Sequence, residues 1–313
     1  MYKFKFLLVA GLIVLNTAVA KSQQNLCIEN RFLKVEVNTL GAELQSIKSM
    51  KSGTEYLWQG DEEYWGGKAP VMFPVNVKFK DAHFFYKGKE YQMPDMGLAK
   101  ISTFKMTDIR KGEVTLVLES NHATLEKYPF SFRLQITYRV KGKKLINEFV
   151  VENTGNEMMY FALGGHPGFR FPIEGKSERG KNGFVFDKNY TIKRTEIAGG
   201  LVQNNEIPFL NNENSFAFND ERIPNAGMFL KNMPSRKISI GTIGGPAYIT
   251  VDLKDFPNVN MWTPPGMPFA CIEPMIGHHD LQNTALEIDK KEYLTALPAG
   301  KKKNYSFGIV VNE

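Results

Sequence analysis

Strict two-residue alternation is the feature that most constrains this chain. Phe132, Leu134, Ile136, Tyr138 and Val140 interleave with Arg133, Gln135, Thr137 and Arg139. An extended backbone sends successive side chains to opposite faces, so this pattern specifies a strand with one buried and one wet face. The turn Lys141-Gly142-Lys143-Lys144 follows, and Leu145 to Glu152 reads as the returning strand. Comparable units recur at Leu33 to Val37, Val114 to Glu119, Ile238 to Thr242, Tyr248 to Leu253 and Tyr305 to Val311. "TLGAELQSI" continues as another strand after Gly41, and Phe84 to Met93 reads as a hairpin turning at Gly88. Helical periodicity is confined to Asn121 to Tyr128, capped by Ser120 or Asn121 and stopped by Pro129. Gly and Pro punctuate the remainder, and the polar stretches Glu174 to Asn182 and Asn204 to Asn219 read as loops. Many strands, short turns and almost no helix specify an all-β protein, a large antiparallel sandwich or barrel. No composition shift or internal repeat divides residues 21–313, which are expected to form one domain.

The N-terminus has a different character. Lys3 and Lys5 precede an apolar run from Phe6 to Leu15, and Ala18-Val19-Ala20 follows. A basic region, a short apolar region and an A-x-A pattern describe a secretory signal peptide cut after Ala20; the alternative is a short anchor. The run is too short for an ordinary membrane span. The expected product is exported, to a periplasm or the exterior, with no stable membrane insertion after cleavage. Cleavage removes Lys3 and Lys5 and no acid, so the formal charge falls from +6 to +4. The lysines are scattered, Lys301-Lys302-Lys303 reads as a solvated turn, and nothing in the charge pattern points to a nucleic-acid partner. Cys27 and Cys271 either pair in an oxidising compartment or remain separate thiols.

Two short stretches concentrate the chemistry. In "MYFALGGHPGF", His166 ends an apolar run between Gly164-Gly165 and Pro167-Gly168. Pro167 restricts the residue before it to extended geometry, and the glycines allow close backbone approach or unusual dihedrals. A firmly held imidazole suits proton transfer near neutrality, or else packs the loop. In "PFACIEPMIGHHD", Glu273 lies within an apolar run directly before Pro274. Burial there would raise its pKa toward a range useful for a general base; the alternative is a carboxylate satisfied structurally. His278 and His279 are adjacent, point to opposite faces if extended, and read as an exposed loop with weak metal potential, so no metal is expected. Tyr56, Trp58, Tyr64, Trp65 and Phe73 stand among polar groups, and Trp262 lies in "NVNMWTPPGMPF". Rings beside amides and carboxylates match the apolar faces and hydroxyl edges of sugars, although most of these rings are expected in the core.

Taken in order, "GAELQSIKS", "TEYLWQGDEEYWGGKAPVMFPV", "YPFSFRLQITYRV", "VENTG", "GGHPGF" and "CIEP" resemble landmarks of the aldose 1-epimerase (mutarotase) family, across nearly the whole mature chain. The resemblance implies a galactose mutarotase-like super-β-sandwich with a sugar bound on one sheet. It implies that Glu273 removes the proton of the C1 hydroxyl and His166 protonates the ring oxygen, with no cofactor and a small-molecule sugar as partner. The sequence departs from the family pattern at three places. "MPDMGLAK" puts Met96 where the family has a second histidine, and "FPVNVKFKD" offers Lys78 where it has an arginine. Methionine donates no hydrogen bond, and lysine lacks the flat fork of a guanidinium. Asn225 takes the place of an aspartate in the later sugar-contact region, where Trp262 also falls. Two functions follow: an anomer-interconverting isomerase with altered activity, or a catalytically degenerate sugar-binding protein. A sandwich that binds other proteins through its faces would leave the settings of His166 and Glu273 unexplained.

Overall fold

The computed structural model describes residues 23–173 and 178–313. The segment read as a signal peptide lies outside the described residues. The chain is mostly antiparallel β-structure. A three-stranded sheet (Asn25–Glu29, Leu33–Asn38, Leu44–Ser49) accompanies one large sheet of 15 strands among the described residues. Starting from Val71–Met72, that sheet passes through Leu163–Gly165, Phe269–Ile276, Asn258–Trp262, Met228–Leu230 and Asn182–Ala198. It continues through Lys237–Thr242, Ala247–Asp252, Lys302–Val311, Lys144–Asn153, Phe132–Lys141 and Glu113–Glu119 to Lys105–Arg110.

The alternation at Phe132 to Val140 behaves as its period requires. All five apolar side chains are buried, and the strand pairs with Lys144–Asn153 through the Lys141 to Lys144 turn. Phe307, on strand Lys302–Val311, reaches across to the strand that precedes His166. A Cβ added at Gly165 would lie 2.8 Å from its ring. A Cβ at Gly164 would meet Met72 at 2.7 Å and Asn76 Oδ1 at 2.8 Å on the opposite side. The glycine pair is therefore explained by close approach on both faces.

The helix is His122–Lys127, with Asn121 and Thr124 forming a reciprocal capping box. Three expectations need correction. Asn204 to Asn219 is not a loop: Leu201–Ala217 is a strand paired with Asn182–Ala198. Both members of this hairpin carry exposed residues on both faces and repeated register shifts, so apolar alternation is lost although the backbone pairing persists. Within Glu174 to Asn182, residues 174–177 lie outside the described set, Arg179–Lys181 forms a 3-10 turn, and Asn182 already opens a strand. Lys302 and Lys303 begin a strand rather than forming a turn, with exposed side chains. Cys27 and Cys271 are both free, the first exposed and the second buried. Among the described residues, no helix is long and apolar enough to cross a membrane.

Candidate active site

The strand Phe269–Ile276 is buried at every position because it has neighbours on both edges. On one edge, Gly164 lies opposite Met275 and Gly168 opposite Cys271. The same register holds on both sides of the interruption at Pro167, so His166 falls opposite Glu273. On the other edge, Asn260 pairs with Glu273. One row across the sheet therefore reads His166, Glu273, Asn260, then Phe229. Side chains two apart on a strand share a face, which places Phe269, Cys271 and Met275 beside Glu273.

The geometry follows from this register. His166 Nε2 lies 3.4 Å from Glu273 Oε2. Asn260 donates its amide N–H to Glu273 Oε1 at 2.9 Å. The His166 backbone is fixed by its N–H to the Pro70 carbonyl at 3.0 Å, and Gly168 donates to Lys68 at 2.9 Å. Glu273 is 0% exposed and His166 5%. Trp65 covers the imidazole, its ring 4.8 Å away and tilted 32°, and Trp262 stands 6.0 Å from His166 nearly perpendicular to it. Trp58 donates its indole N–H to the Trp65 carbonyl at 2.7 Å, tying the covering segment to a buried ring.

Burial sets the protonation. Desolvation pushes the Glu273 carboxyl well above the usual carboxylate range, opposed in part by the Asn260 hydrogen bond. Desolvation lowers His166 to about 4, against its own backbone hydrogen bond. Both shifts favour the uncharged forms, a carboxylic acid facing a neutral imidazole. The Cys271 thiol is also pushed up, mainly by burial and further by Glu273. One ligand atom each from His166, Cys271 and Glu273 lies within 4.8 Å of the others, a donor set that a soft divalent cation can use.

The remaining candidate residues are spread differently. Trp262 is partly buried beside Trp65, 5.6 Å between ring centroids. Its indole N–H bonds to the Asn225 main-chain carbonyl at 2.9 Å. Asn225 itself is exposed, and the asparagine whose side chain meets the pair is Asn260, which sequence reading missed. Met96 joins an apolar cluster with Met72, Met275, Phe229, Ile197, Val202, Val77 and Leu281. This cluster adjoins the pair, because Met275 follows Glu273 on one face and Phe229 lies opposite Asn260. Lys78 is partly buried, its side chain against Gly200 at the tip of the long hairpin. His278 and His279 are not exposed: they are 5% and 2% accessible. Gly277 takes φ +75°, and Asp280 is held by Lys291, Tyr293 and the Lys80 N–H, so the segment turns inward.

Comparison with known proteins agrees with this architecture. A LacX protein encoded on a plasmid of Lactococcus lactis subsp. lactis is 31% identical over 296 residues, spanning 90% of this chain and 98% of that protein. A galactose mutarotase related enzyme from Lactobacillus acidophilus superposes with a TM-score of 0.87 at 28% identity, covering 93% of this chain and 98% of its own. A galactose mutarotase-like protein from Lactobacillus casei gives 0.84 at 26% identity, with 92% and 100% coverage. Residues 24–221 match the family described as aldose 1-epimerase. With that match, and with the sandwich in common, the chain belongs to the aldose 1-epimerase family.

Proposed function

We propose that this protein is an exported isomerase that interconverts the α and β anomers of a cyclic aldose. The observation that carries the reading is the 3.4 Å approach of the His166 imidazole to the one Glu273 oxygen without another hydrogen-bond partner. Glu273 takes the proton of the C1 hydroxyl while His166 gives one to the ring oxygen. The C1–O5 bond breaks, the aldehyde rotates about C1–C2, and the reverse transfers close the ring with C1 inverted. Ring opening and ring closure each move two protons, and a full pass returns the pair to its starting state without a cofactor.

The protonation of the closed site is consistent with this cycle. One proton resides on the pair, and the neutral arrangement is favoured while protein alone surrounds it. Sugar hydroxyls entering the site supply the hydrogen bonds that a carboxylate and an imidazolium require, moving the shared proton to His166. Trp65 and Trp262 offer apolar faces to the sugar ring, and Asn260 anchors Oε1 of the carboxylate. The N-terminal basic and apolar pattern supports export.

The test is polarimetry or anomeric NMR on freshly dissolved α-D-glucose, α-D-galactose and a panel of other aldoses, with Glu273→Gln as the control. Wild-type acceleration that the variant loses supports the reading. No acceleration over the variant on any aldose would leave a sugar-binding protein without turnover.

A further inference from the structure

His279 is a buried side chain with no role in the proton transfers. It is 2% exposed, and neither ring nitrogen has a well-formed hydrogen bond, although the Gly200 backbone approaches the ring. Buried polar atoms are nearly always paired, and a ring so poorly satisfied is unfavourable unless something binds there. Its neighbour is different. His278 places Nδ1 2.5 Å from the His279 carbonyl oxygen and stacks on Tyr293 with centroids 4.4 Å apart, so it is committed to the turn.

The location is specific. The His279 ring lies 6.0 Å from Phe229, the residue opposite Asn260, which bonds Glu273. It stands beside the Gly200 backbone, and His166 and Lys78 are near enough to disfavour its protonation, after burial itself. Among the described residues, all but one of the buried unpaired side-chain atoms belong to Asn76, His166, Asn260, Glu273 and His279. Asn76 Oδ1 faces Gly164, which lies opposite Met275, two residues from Glu273 on the same strand. The unsatisfied donors and acceptors therefore gather around the pair; among the described residues the exception is Asn147 Nδ2.

We propose that His279 is a substrate-binding residue whose imidazole hydrogen-bonds a sugar hydroxyl other than the one on C1. This rests on reading the His166–Glu273 pair as the ring-opening site. A neutral imidazole offers one donor and one acceptor, the complement of a hydroxyl group. Phe229 beside the ring, and the apolar cluster it joins with Met72, Met96 and Met275, supply no competing hydrogen bond, so His279 fixes which hydroxyl is recognised. Such a site rejects a sugar lacking that hydroxyl, because the ring nitrogens are then left unpaired again.

The experiment uses monodeoxy analogues of whichever aldose the wild type turns over best. We expect one analogue to lose roughly 10–100-fold in kcat/KM relative to the parent sugar. His279→Phe keeps ring volume and removes both nitrogens; it is expected to lower kcat/KM for the parent by a similar factor and leave that one analogue unchanged. His279→Gln, which keeps a donor and an acceptor, is expected to restore part of the loss and provides a second folded variant. Equal losses on the parent and every analogue, or no loss on the parent, would overturn the assignment. If the wild type turns over no aldose, the ring-opening reading fails separately. The same comparison is then made on dissociation constants from NMR titration of the parent and deoxy sugars, and an absence of sugar binding, or equal binding by wild type and His279→Phe, overturns the role of His279.

Discussion

Asn260 donates to Oε1 of Glu273 at 2.9 Å, which leaves Oε2 to face His166. The two carboxylate oxygens thus have separate tasks, one fixed to the neighbouring strand and one free to exchange a proton. Asn260 is also the group that holds the Glu273 pKa down against burial. Asn260→Leu is expected to raise that pKa further, which makes passing the shared proton from Glu273 to His166 harder. An approximately 10–100-fold loss in kcat/KM is expected at neutrality, and the alkaline limb of its pH profile, where the pair loses that proton, should move to higher pH. A loss that is uniform across pH would indicate that Asn260 contributes packing alone.

Stability should respond to pH in opposite directions at the two members of the pair. Glu273 has its folded pKa raised above the ordinary 4.5, so its contribution is present below 4.5 and is lost as pH rises through the folded value. His166 has its folded pKa depressed from 6.5 to about 4, so its contribution is present above 6.5 and is lost as pH falls toward 4. Glu273→Gln imitates the protonated acid at every pH. Its Tm relative to wild type is expected to climb as pH rises above about 4.5. His166→Gln should soften the loss of stability between pH 6.5 and 4, without removing it, because His279 is also lowered, to about 3. Parallel melting curves for wild type and both variants across this range would contradict the burial argument.

Trp65 is what keeps the imidazole dry on one side. Trp65→Ala is expected to admit water and return the His166 pKa from about 4 toward 6.5, read from the imidazole resonances in a pH titration. Sugar affinity should fall at the same time, because the largest apolar face over the pair is gone. A His166 titration unchanged in the variant would mean that the strands alone provide the desolvation.

The pair could be found in the sequence because a proline follows each member, and each stretch is apolar enough to be placed in the interior. That they face each other is a matter of register between strands about a hundred residues apart, which local pattern does not contain. Asn260 was missed for a related reason. In "NVNMW" the residues Asn258, Asn260 and Trp262 alternate with Val259 and Met261, but both faces of this central strand are largely buried, so polarity there does not indicate solvent. His278 and His279 were read as exposed because adjacent polar residues after a strand usually turn outward. The inward turn depends on Asp280 meeting Lys291, a contact with no periodic signature. The strands themselves were legible wherever one face is wet. They were lost in the hairpin of Asn182–Ala198 and Leu201–Ala217, where the residues read as a loop are polar on both faces.

That turn supplies the last expectation. Lys291 Nζ reaches both Asp280 oxygens, at 3.0 and 2.8 Å, with both side chains 0% exposed. Asp280 also accepts from Tyr293 Oη at 2.8 Å and from the Lys80 N–H at 2.9 Å, so one carboxylate joins three segments beneath His279. Lys291→Met leaves that carboxylate without its cation in a dry interior, which costs about 3–5 kcal/mol. Asp280→Asn together with Lys291→Met removes both charges but keeps one acceptor oxygen, which can serve Tyr293 on the Oδ1 side and leaves the Lys80 N–H without its Oδ2 partner, so it is expected to recover part of the loss. Chemical denaturation of the two variants checks this. The double variant should be clearly more stable than the single one, and equal destabilisation of both would show that the hydrogen bonds, rather than the charge pairing, hold the turn.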